Sequence, residues 1–561
     1  MLTEVYEMKV AEIVVKIMEK EGIVDAFGIP GAGINPVYKA LGNSPIRHYC
    51  VRHEEAAVHA ADGYYRASGR MAVALCTSGP GATNFVTGIY TANVDSIPLL
   101  AITGQAVTAQ LGKDAFQCVD IAKICEPIAK ATFCVTEPAS IAGVMQKAFL
   151  LARSGKPGAV LVDLLLDVQM AEVDFDVDSY QPLTFENPRP DPKDTEQAIA
   201  MLREAKNPAL IMGGGVLLAG AAAKCVEFAE LMQLPVITTY MAKGGIPAEH
   251  PLNAGHAGIQ VGQPIGNKVF LESDVIIGIG CRFTDRHTGN IAVYKGNRKF
   301  IHINVEPREI GKIFQPDLGI VADAKYALEA LVEAAKAFGG RAADARVGEI
   351  PAQRHGMKRK TCYECVPIKP QRVYEELNSF FQDEAMFTTG CGLNQIWSGQ
   401  LQDINQPGLY MPSGGAGTLG YDIPAAFGAK IANPAKHAVA VMGDFGFTFH
   451  VQELAVAAAY NIPLIVVIVN NACLSLIRQN QKYAYNFEYA VEMEVNQGLM
   501  DYVKVAEGFA AAGERVERPQ DIRAALERAA KSTKPYIIDI VCEKETDCSM
   551  GPALDSIKEF A

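Results

Sequence analysis

Hydrophobic and polar positions alternate in blocks along most of the chain. Short runs rich in Val and Ile, such as residues 462–469 (IPLIVVIV), are followed by Ala-rich stretches with helical spacing. Strands buried in a parallel sheet are apolar on both faces, whereas the helices that cover them are apolar on one face only. The pattern therefore predicts an α/β protein of mostly parallel sheets flanked by helices.

Two polar stretches interrupt this alternation and indicate linkers between domains. Residues 170–196 are rich in Pro and Asp, and residues 338–370 are irregular and charged. We therefore predict three domains and a short tail, over residues 1–169 (N-terminal), 190–340 (central), 368–545 (C-terminal) and 546–561 (tail).

Composition narrows the class of protein without identifying it. The chain has 561 residues, 49 % of them apolar and 20 % charged, which is typical of a soluble protein with about three cores. A net charge of −12 argues against a nucleic-acid surface but leaves a small anionic ligand open. The start of the sequence has no basic region before an apolar run, so we expect no signal peptide, and no apolar run is long enough to span a bilayer.

Cysteine usage favours reduced thiols in a cytoplasmic protein. The thirteen cysteines are scattered along a large chain, which is unlike a disulfide framework. Cys362 and Cys365 form one CxxC pair with no second pair nearby, so a loop is favoured over a zinc site.

The C-terminal part predicts one βαβ unit with polar residues at its strand ends. Residues 437–442 predict a strand, 451–460 a helix and 462–469 a buried strand. Asp444 follows the first strand and Asn471 the second, so both should lie at the carboxyl edge of a parallel sheet, where such sheets bind ligands. A carboxylate and an amide oxygen suit a hard divalent cation that also takes phosphate oxygens.

The segment GDFGFTFHVQELAVAAAYNIPLIVVIVNNACLSLIRQNQ resembles the diphosphate-and-metal motif of the thiamin diphosphate enzymes. Within them the chain is most similar to the branch of acetohydroxyacid synthases and glyoxylate carboligases. The resemblance implies Mg²⁺ on Asp444, Asn471 and the carbonyl of Cys473. It further assigns to the thiamin diphosphate site the residues Gly392, Leu393, Leu419, Gly446 and Phe447, with Leu419 under the thiazolium ring.

An N-terminal segment carries a second part of this resemblance. Residues 46–51 predict a strand and 54–67 a helix, and Arg52-His53-Glu54-Glu55 lies between them. In the family, the matching Glu contacts the aminopyrimidine ring and drives proton removal, so Glu54 is implied as catalytic. The family forms this site between two subunits, which implies a homodimer or homotetramer. Phe116 and Gln117 match a pair that reaches the active site, with Gln117 implied as a catalytic contact.

The central part resembles the flavin-binding domain of the same branch. A triple glycine at 213–215 is a weak nucleotide signal by itself. The resemblance implies FAD, bound without an obvious redox step. The implied FAD contacts are Lys156, Gly213, Gly214, Gly215, Thr239, Tyr240, Met241, Gly280, Arg282 and Asp323.

Two reactions fit the resemblance. In one, two glyoxylates give tartronate semialdehyde and CO₂; in the other, two pyruvates give 2-acetolactate and CO₂, and a related 2-oxo acid or aldehyde carboligase is a further alternative. Asn480 stands where acetohydroxyacid synthases place a Trp, which favours glyoxylate, with Leu476, Ile477 and Lys482 implied at the substrate. Glu54 weakens that choice because glyoxylate carboligases have Val there. A non-catalytic binding protein is disfavoured, since the implied metal and activating residues are intact.

Overall fold

The structure is a computed structural model, and it describes residues 6–343, 345–495 and 498–559. Across these residues the chain forms three six-stranded parallel sheets and one two-stranded antiparallel ribbon. The predicted architecture of three parallel-sheet domains flanked by helices is confirmed. In the described part of the chain, no helix is both long and apolar enough to cross a bilayer.

The N-terminal sheet has the strand order β3-β2-β4-β5-β7-β6, and its central strands are fully buried. Its elements are β1 Tyr6–Lys9, α1 Val10–Lys20, β2 Asp25–Gly28, α2 Asn35–Leu41, β3 Arg47–Cys50, α3 Glu54–Ser68, β4 Val73–Cys76, α4 Pro80–Val94, β5 Leu99–Gln105, α5 Ile121–Cys125, β6 Ala131–Val135, α6 Ile141–Arg153, β7 Ala159–Leu165, α7 Leu166–Met170 and β8 Glu172–Phe175.

The central sheet has the order β11-β10-β9-β12-β13-β14, and β9 and β12 are buried along their whole length. Its elements are α8 Pro192–Glu204, β9 Pro208–Met212, α9 Gly214–Leu218, α10 Ala222–Met232, β10 Val236–Thr238, β11 Asn253–His256, α11 Pro264–Leu271, β12 Val275–Ile279, α12 Asp285–Thr288, α13 Ile291–Lys295, β13 Lys299–Asn304, β14 Leu318–Val321, α14 Ala324–Ala337 and α15 Ala345–Gly356.

The C-terminal sheet has the order β16-β15-β17-β18-β20-β19. Its elements are α16 Pro370–Phe381, β15 Ala385–Thr389, α17 Leu393–Leu401, β16 Tyr410–Pro412, α18 Asp422–Ala432, β17 His437–Gly443, α19 Asp444–Phe447, α20 Glu453–Ala459, β18 Ile465–Asn470, α21 Ser475–Asn480, α22 Tyr502–Gly508, β19 Ala512–Val516, α23 Ile522–Lys531 and β20 Tyr536–Val541. The predicted βαβ unit is thus β17, α20 and β18, with bounds within three residues of those expected.

Both stretches predicted to be linkers contain regular structure. In the first, β8 pairs antiparallel with β1, and its Val173 and Phe175 pack on the core under the N-terminal sheet. In the second, α15 buries Val347 and Ile350, and five of its twelve residues are charged or polar. A short strand and an amphipathic helix need only two apolar residues each, too few to stand out in a polar stretch.

Helices α3 and α18 join the N-terminal and C-terminal domains at very close range. A Cβ added to Gly63 of α3 would lie 2.0 Å from the carbonyl oxygen of Ala425, and one added to Gly428 of α18 would lie 1.8 Å from that of Ala60. The two glycines therefore let the helix backbones touch, and one hydrophobic core runs across both domains.

Candidate functional site

Asp444 lies at the carboxyl end of β17 with one free oxygen. Its Oδ1 accepts the Phe445 N–H at 2.9 Å, while its buried Oδ2 has no partner among the described residues. Burial raises the pKa of this carboxyl to about 7, although the backbone N–H groups of Phe445, Ala472 and Cys473 oppose the shift. A buried carboxylate with an unused oxygen is costly unless a cation joins it.

Asn471 and Cys473 follow the neighbouring strand β18, whose Val469 is in register with Gly443 of β17. The Asn471 Oδ1 accepts from the Ser475 hydroxyl at 2.7 Å, and its buried amide nitrogen has no partner among the described residues. Since the two amide atoms are interchangeable in such a setting, the oxygen can equally occupy the free position. The structure thus brings Asp444 and Asn471 to one sheet edge, and this set of oxygens fits a hard divalent cation.

Two glycine-containing turns converge on the same edge. An added Cβ on Gly446 would be 3.9 Å from Leu419 Cδ2, and one on Gly443 would be 3.4 Å from Asn394 Oδ1. The side chain of Leu393 is buried, so only its backbone and that of Gly392 can contact a ligand. Phe447 is fully buried in the core, which likewise leaves its backbone for ligand binding.

Glu54 is the first residue of α3, and its carboxylate is half-buried beside α4. The Asn84 amide donates to Glu54 Oε2 at 2.9 Å, and an added Cβ on Gly81 would lie 3.3 Å from Oε1. Gln117 packs on the same turn, since an added Cβ on Gly79 would lie 2.7 Å from the Gln117 Cβ. Phe116, in contrast, is 89 % exposed in the single chain.

A buried glutamate from the C-terminal domain holds the backbone that precedes Glu54. The Arg52 N–H donates to Glu453 Oε1 at 2.9 Å, and Glu453 is 2 % exposed. Burial raises the pKa of Glu453 to about 7, although backbone hydrogen bonds from Arg52 and His53 oppose the shift. The sequence does not signal this contact, because a glutamate at a helix start ordinarily indicates only a favourable interaction with the helix dipole.

A cavity of about 990 Å³ lies between the three domains. Nine of the ten residues implied for FAD line it, and Gly213 packs behind it against the Gly280 carbonyl. The walls from the other two domains include Arg66, Asp95, Gln395 and Leu476. Its size and mixed polar lining suit a dinucleotide-sized ligand.

An ion network unforeseen from the sequence closes one side of this cavity. Arg66 binds Asp62 at 2.6 Å and Asp95 at 3.0 Å, and Asp95 accepts the N–H groups of Gly414 and Gly415. The network fixes the glycine-rich turn before α18 to the N-terminal domain. Its members lie far apart in sequence, so no local motif signals them.

The implied substrate residues lie on and after α21. Leu476 lines the large cavity, and Ile477 is half exposed. Lys482 lies 3.6 Å from Glu545 and 3.5 Å from Asp547 of the chain's tail. These carboxylates also bind Arg478, which is fully buried and was not foreseen from the sequence.

Three domain models of one enzyme family match this chain. Residues 8–124, 195–331 and 390–540 match family models described as the N-terminal TPP binding domain, the central domain and the C-terminal TPP binding domain of thiamine pyrophosphate enzymes.

Full-length relatives carry two different names. The chain is 45 % identical to a glyoxylate carboligase of Escherichia coli O157:H7, over 99 % of this chain and 96 % of the relative. It is 38 % identical to a probable acetolactate synthase large subunit of Methanococcus aeolicus, over 97 % and 94 %. It is 39 % identical to the acetolactate synthase large subunit of Corynebacterium glutamicum, over 95 % and 86 %.

Proposed function

The chain belongs to the thiamine pyrophosphate (thiamin diphosphate) enzymes, and we propose that it condenses two molecules of glyoxylate to tartronate semialdehyde with release of CO₂. The observation that carries the cofactor site is the buried Asp444 carboxylate with a free oxygen, opposite Asn471 at the carboxyl edge of the C-terminal sheet. The substrate rests on the 45 % identity to a glyoxylate carboligase over nearly all of both chains.

In this proposal Asp444, Asn471 and the Cys473 carbonyl would hold Mg²⁺, the cation that neutralises the charge of a diphosphate. When bound, thiamin diphosphate would supply a carbon nucleophile and an electron sink for the decarboxylation of a 2-oxo acid. Glu54 holds a proton at the aminopyrimidine end of the site, and Asn84 keeps its carboxyl in place. Leu419, whose side chain lies next to Gly446, would provide an apolar contact for the cofactor.

The substrate side is proposed to be formed by Leu476, Ile477 and Lys482, with Phe116 and Gln117 from the N-terminal domain. Lys482 provides positive charge for a substrate carboxylate, and its position is fixed by Asp547. Asn480 stands where acetohydroxyacid synthases have a bulky Trp. The site therefore lacks an apolar surface that the methyl group of a second pyruvate would contact. Acetolactate synthesis from two pyruvates is the second candidate, favoured by Glu54 and by the relatives of 38–39 % identity.

We further propose FAD in the large cavity between the domains. Support comes from the nine implied contacts that line the cavity, which include Lys156 and Arg282, two cations suited to a diphosphate. We also propose a cytoplasmic homodimer or homotetramer, in which Glu54 of one subunit serves the Asp444 site of another. We also propose the domain boundaries predicted from the sequence, at residues 1–169, 190–340 and 368–545 with a tail over 546–561.

Product identification tests the proposed reaction. Purified protein with thiamin diphosphate, Mg²⁺ and FAD is offered glyoxylate or pyruvate separately, and the products are identified by mass spectrometry. We expect tartronate semialdehyde from glyoxylate, and little acetolactate from pyruvate. Asp444→Ala should abolish turnover, whereas His355→Asn, on the exposed face of α15, should not. Acetolactate as the main product would replace our proposal with the second candidate.

A further inference from the structure

Three imidazoles surround one carboxylate beside the start of α3. Glu55 Oε1 lies 3.1 Å from His59 Nε2, and Glu55 Oε2 lies 4.0 Å from His450 Nε2. The rings of His53 and His450 are 5.3 Å apart between centroids. His450 comes from the turn between α19 and α20, so the cluster joins the N-terminal domain to the segment that follows the Asp444 turn.

The hydrogen bond of His450 determines which of its ring nitrogens faces the cluster. Its Nδ1 lies 2.9 Å from the Gly420 carbonyl oxygen, which can only accept, so Nδ1 carries the proton. This leaves Nε2 as the ring nitrogen that faces Glu55, at 4.0 Å from its Oε2.

Glu55 is suited to act as the anionic partner. Its two carboxylate oxygens face different imidazoles, with Oε1 at 3.1 Å from His59 and Oε2 at 4.0 Å from His450. Because His59 occupies Oε1, the second oxygen Oε2 is left for another ligand. His53 receives only the Glu55 N–H, at a long 3.3 Å.

We propose that His53, Glu55 and His450 form a second metal site, which binds a divalent transition-metal ion such as Zn²⁺. The three ligand atoms lie within 4.8 Å of one another, and the described residues contain no other such His, Cys, Asp or Glu group. Tetrahedral zinc places its ligand atoms about 3.4 Å apart, so small side-chain rotations close the site and leave one position for water. Two imidazoles and one carboxylate favour zinc over Mg²⁺, which separates this site from the all-oxygen set at Asp444.

The contact between His450 and the Gly420 carbonyl matches the outer-shell hydrogen bond that orients most metal-binding histidines. An ion here would tie the turn that carries Glu54 to the C-terminal domain, next to the Glu453 contact with Arg52. Zinc would therefore rigidify the start of α3 and raise the melting temperature of the protein.

Zinc titration of the full chain tests this site without relying on turnover. The protein is saturated with thiamin diphosphate and excess Mg²⁺, which occupies the Asp444 site. A Cys362→Ser/Cys365→Ser background removes the exposed thiol pair as a competing zinc ligand. Binding is measured by competition with a fluorescent zinc chelator, and stoichiometry by elemental analysis.

We expect one zinc per chain with a dissociation constant at or below the micromolar range. His450→Asn keeps a donor for the Gly420 carbonyl, and His53→Asn keeps a good helix cap, yet each removes one ligand and should weaken zinc at least tenfold. His355→Asn, at an exposed histidine of α15, is the matched control and should bind as the background does.

Unchanged zinc affinity in both His53→Asn and His450→Asn would overturn the proposal, as would the absence of micromolar binding in the background protein. If His450→Asn does not fold, as judged by circular dichroism, the variant His53→Asn decides the outcome by itself, because His53 is only partly buried. Loss of zinc binding does not bear on the proposed reaction, which the product assay tests separately.

Discussion

Replacing Gly428 with alanine should force helices α3 and α18 apart. The new Cβ would lie 1.8 Å from the Ala60 carbonyl oxygen, whereas ordinary contact begins at 3.4 Å. The helices must therefore separate by about 1.6 Å, because the obstacle is backbone and cannot rotate away. Overpacking of this kind costs about 3 kcal/mol at the upper end of its range, and the better helix propensity of alanine returns about 1 kcal/mol.

The expected net loss is about 2 kcal/mol, or roughly 4–8 °C in melting temperature for a domain of this size. Gly143→Ala is the matched control, because Gly143 lies inside α6 with no heavy atom within 4 Å of the added Cβ. That variant gains helix propensity without a clash and should melt about 2–4 °C above the wild type.

Differential scanning calorimetry of the cofactor-free proteins measures both shifts, and steady-state kinetics measures the consequence for the site. Since α3 carries Glu54 at its first position, a displacement of over 1 Å should lower kcat/KM by about a hundredfold. The reasoning is refuted if Gly428→Ala melts at or above the wild type, as Gly143→Ala should, because the two helices would then not touch.

Three further variants test other parts of the site and the core. Asp444→Asn should weaken Mg²⁺-dependent binding of thiamin diphosphate at least a hundredfold by calorimetry without lowering the melting temperature of the cofactor-free protein; unchanged affinity would contradict its role. Glu54→Val should slow hydrogen exchange at C2 of the bound cofactor, measured by NMR, and an unchanged rate would remove it from catalysis. Burial raises the pKa of Asp163 to about 7 despite hydrogen bonds from Thr103 and Gln105. The contribution of Asp163 to the free energy of unfolding is therefore fully present below about pH 4 and is lost as the pH rises through 7. Asp163→Asn should therefore reduce the loss in unfolding free energy between pH 5 and pH 8 by about 2 kcal/mol in urea titrations, and identical pH profiles would disprove this.

Local pattern was enough to predict the sheets and the proximity of Asp444 and Asn471. Buried strands such as β18 are continuous apolar runs, and Asp444 and Asn471 directly follow two of them, so the topology of parallel strands brings them together. Helix α3 was likewise predictable, since its alanines and the preceding polar turn mark its start.

Contacts between distant segments could not be predicted in the same way. Glu453 and Arg52 are 401 positions apart, and Asp95 and Gly415 are 320 apart, so their pairing depends on how whole domains pack. The cluster of His53, Glu55 and His450 has the same origin, because His450 adds a third ligand only once the two domains meet. Strand β8 was not predicted for another reason. It has only two apolar residues, and its partner strand β1 lies at the other end of the domain in sequence.

Because all three domains line the large cavity, a ligand bound there would stabilise the folded chain as a whole. A ligand that binds only the assembled arrangement adds about 2.7 kcal/mol of stability at a hundred times its dissociation constant. That free energy is shared by the N-terminal, central and C-terminal domains, because Lys156, Asp323 and Gln395 line the same space. The central domain, which has its own core, should then unfold together with the other two domains when the cavity is filled and separately from them when it is empty. The proposed FAD would therefore hold the three domains together whether or not electrons pass through it.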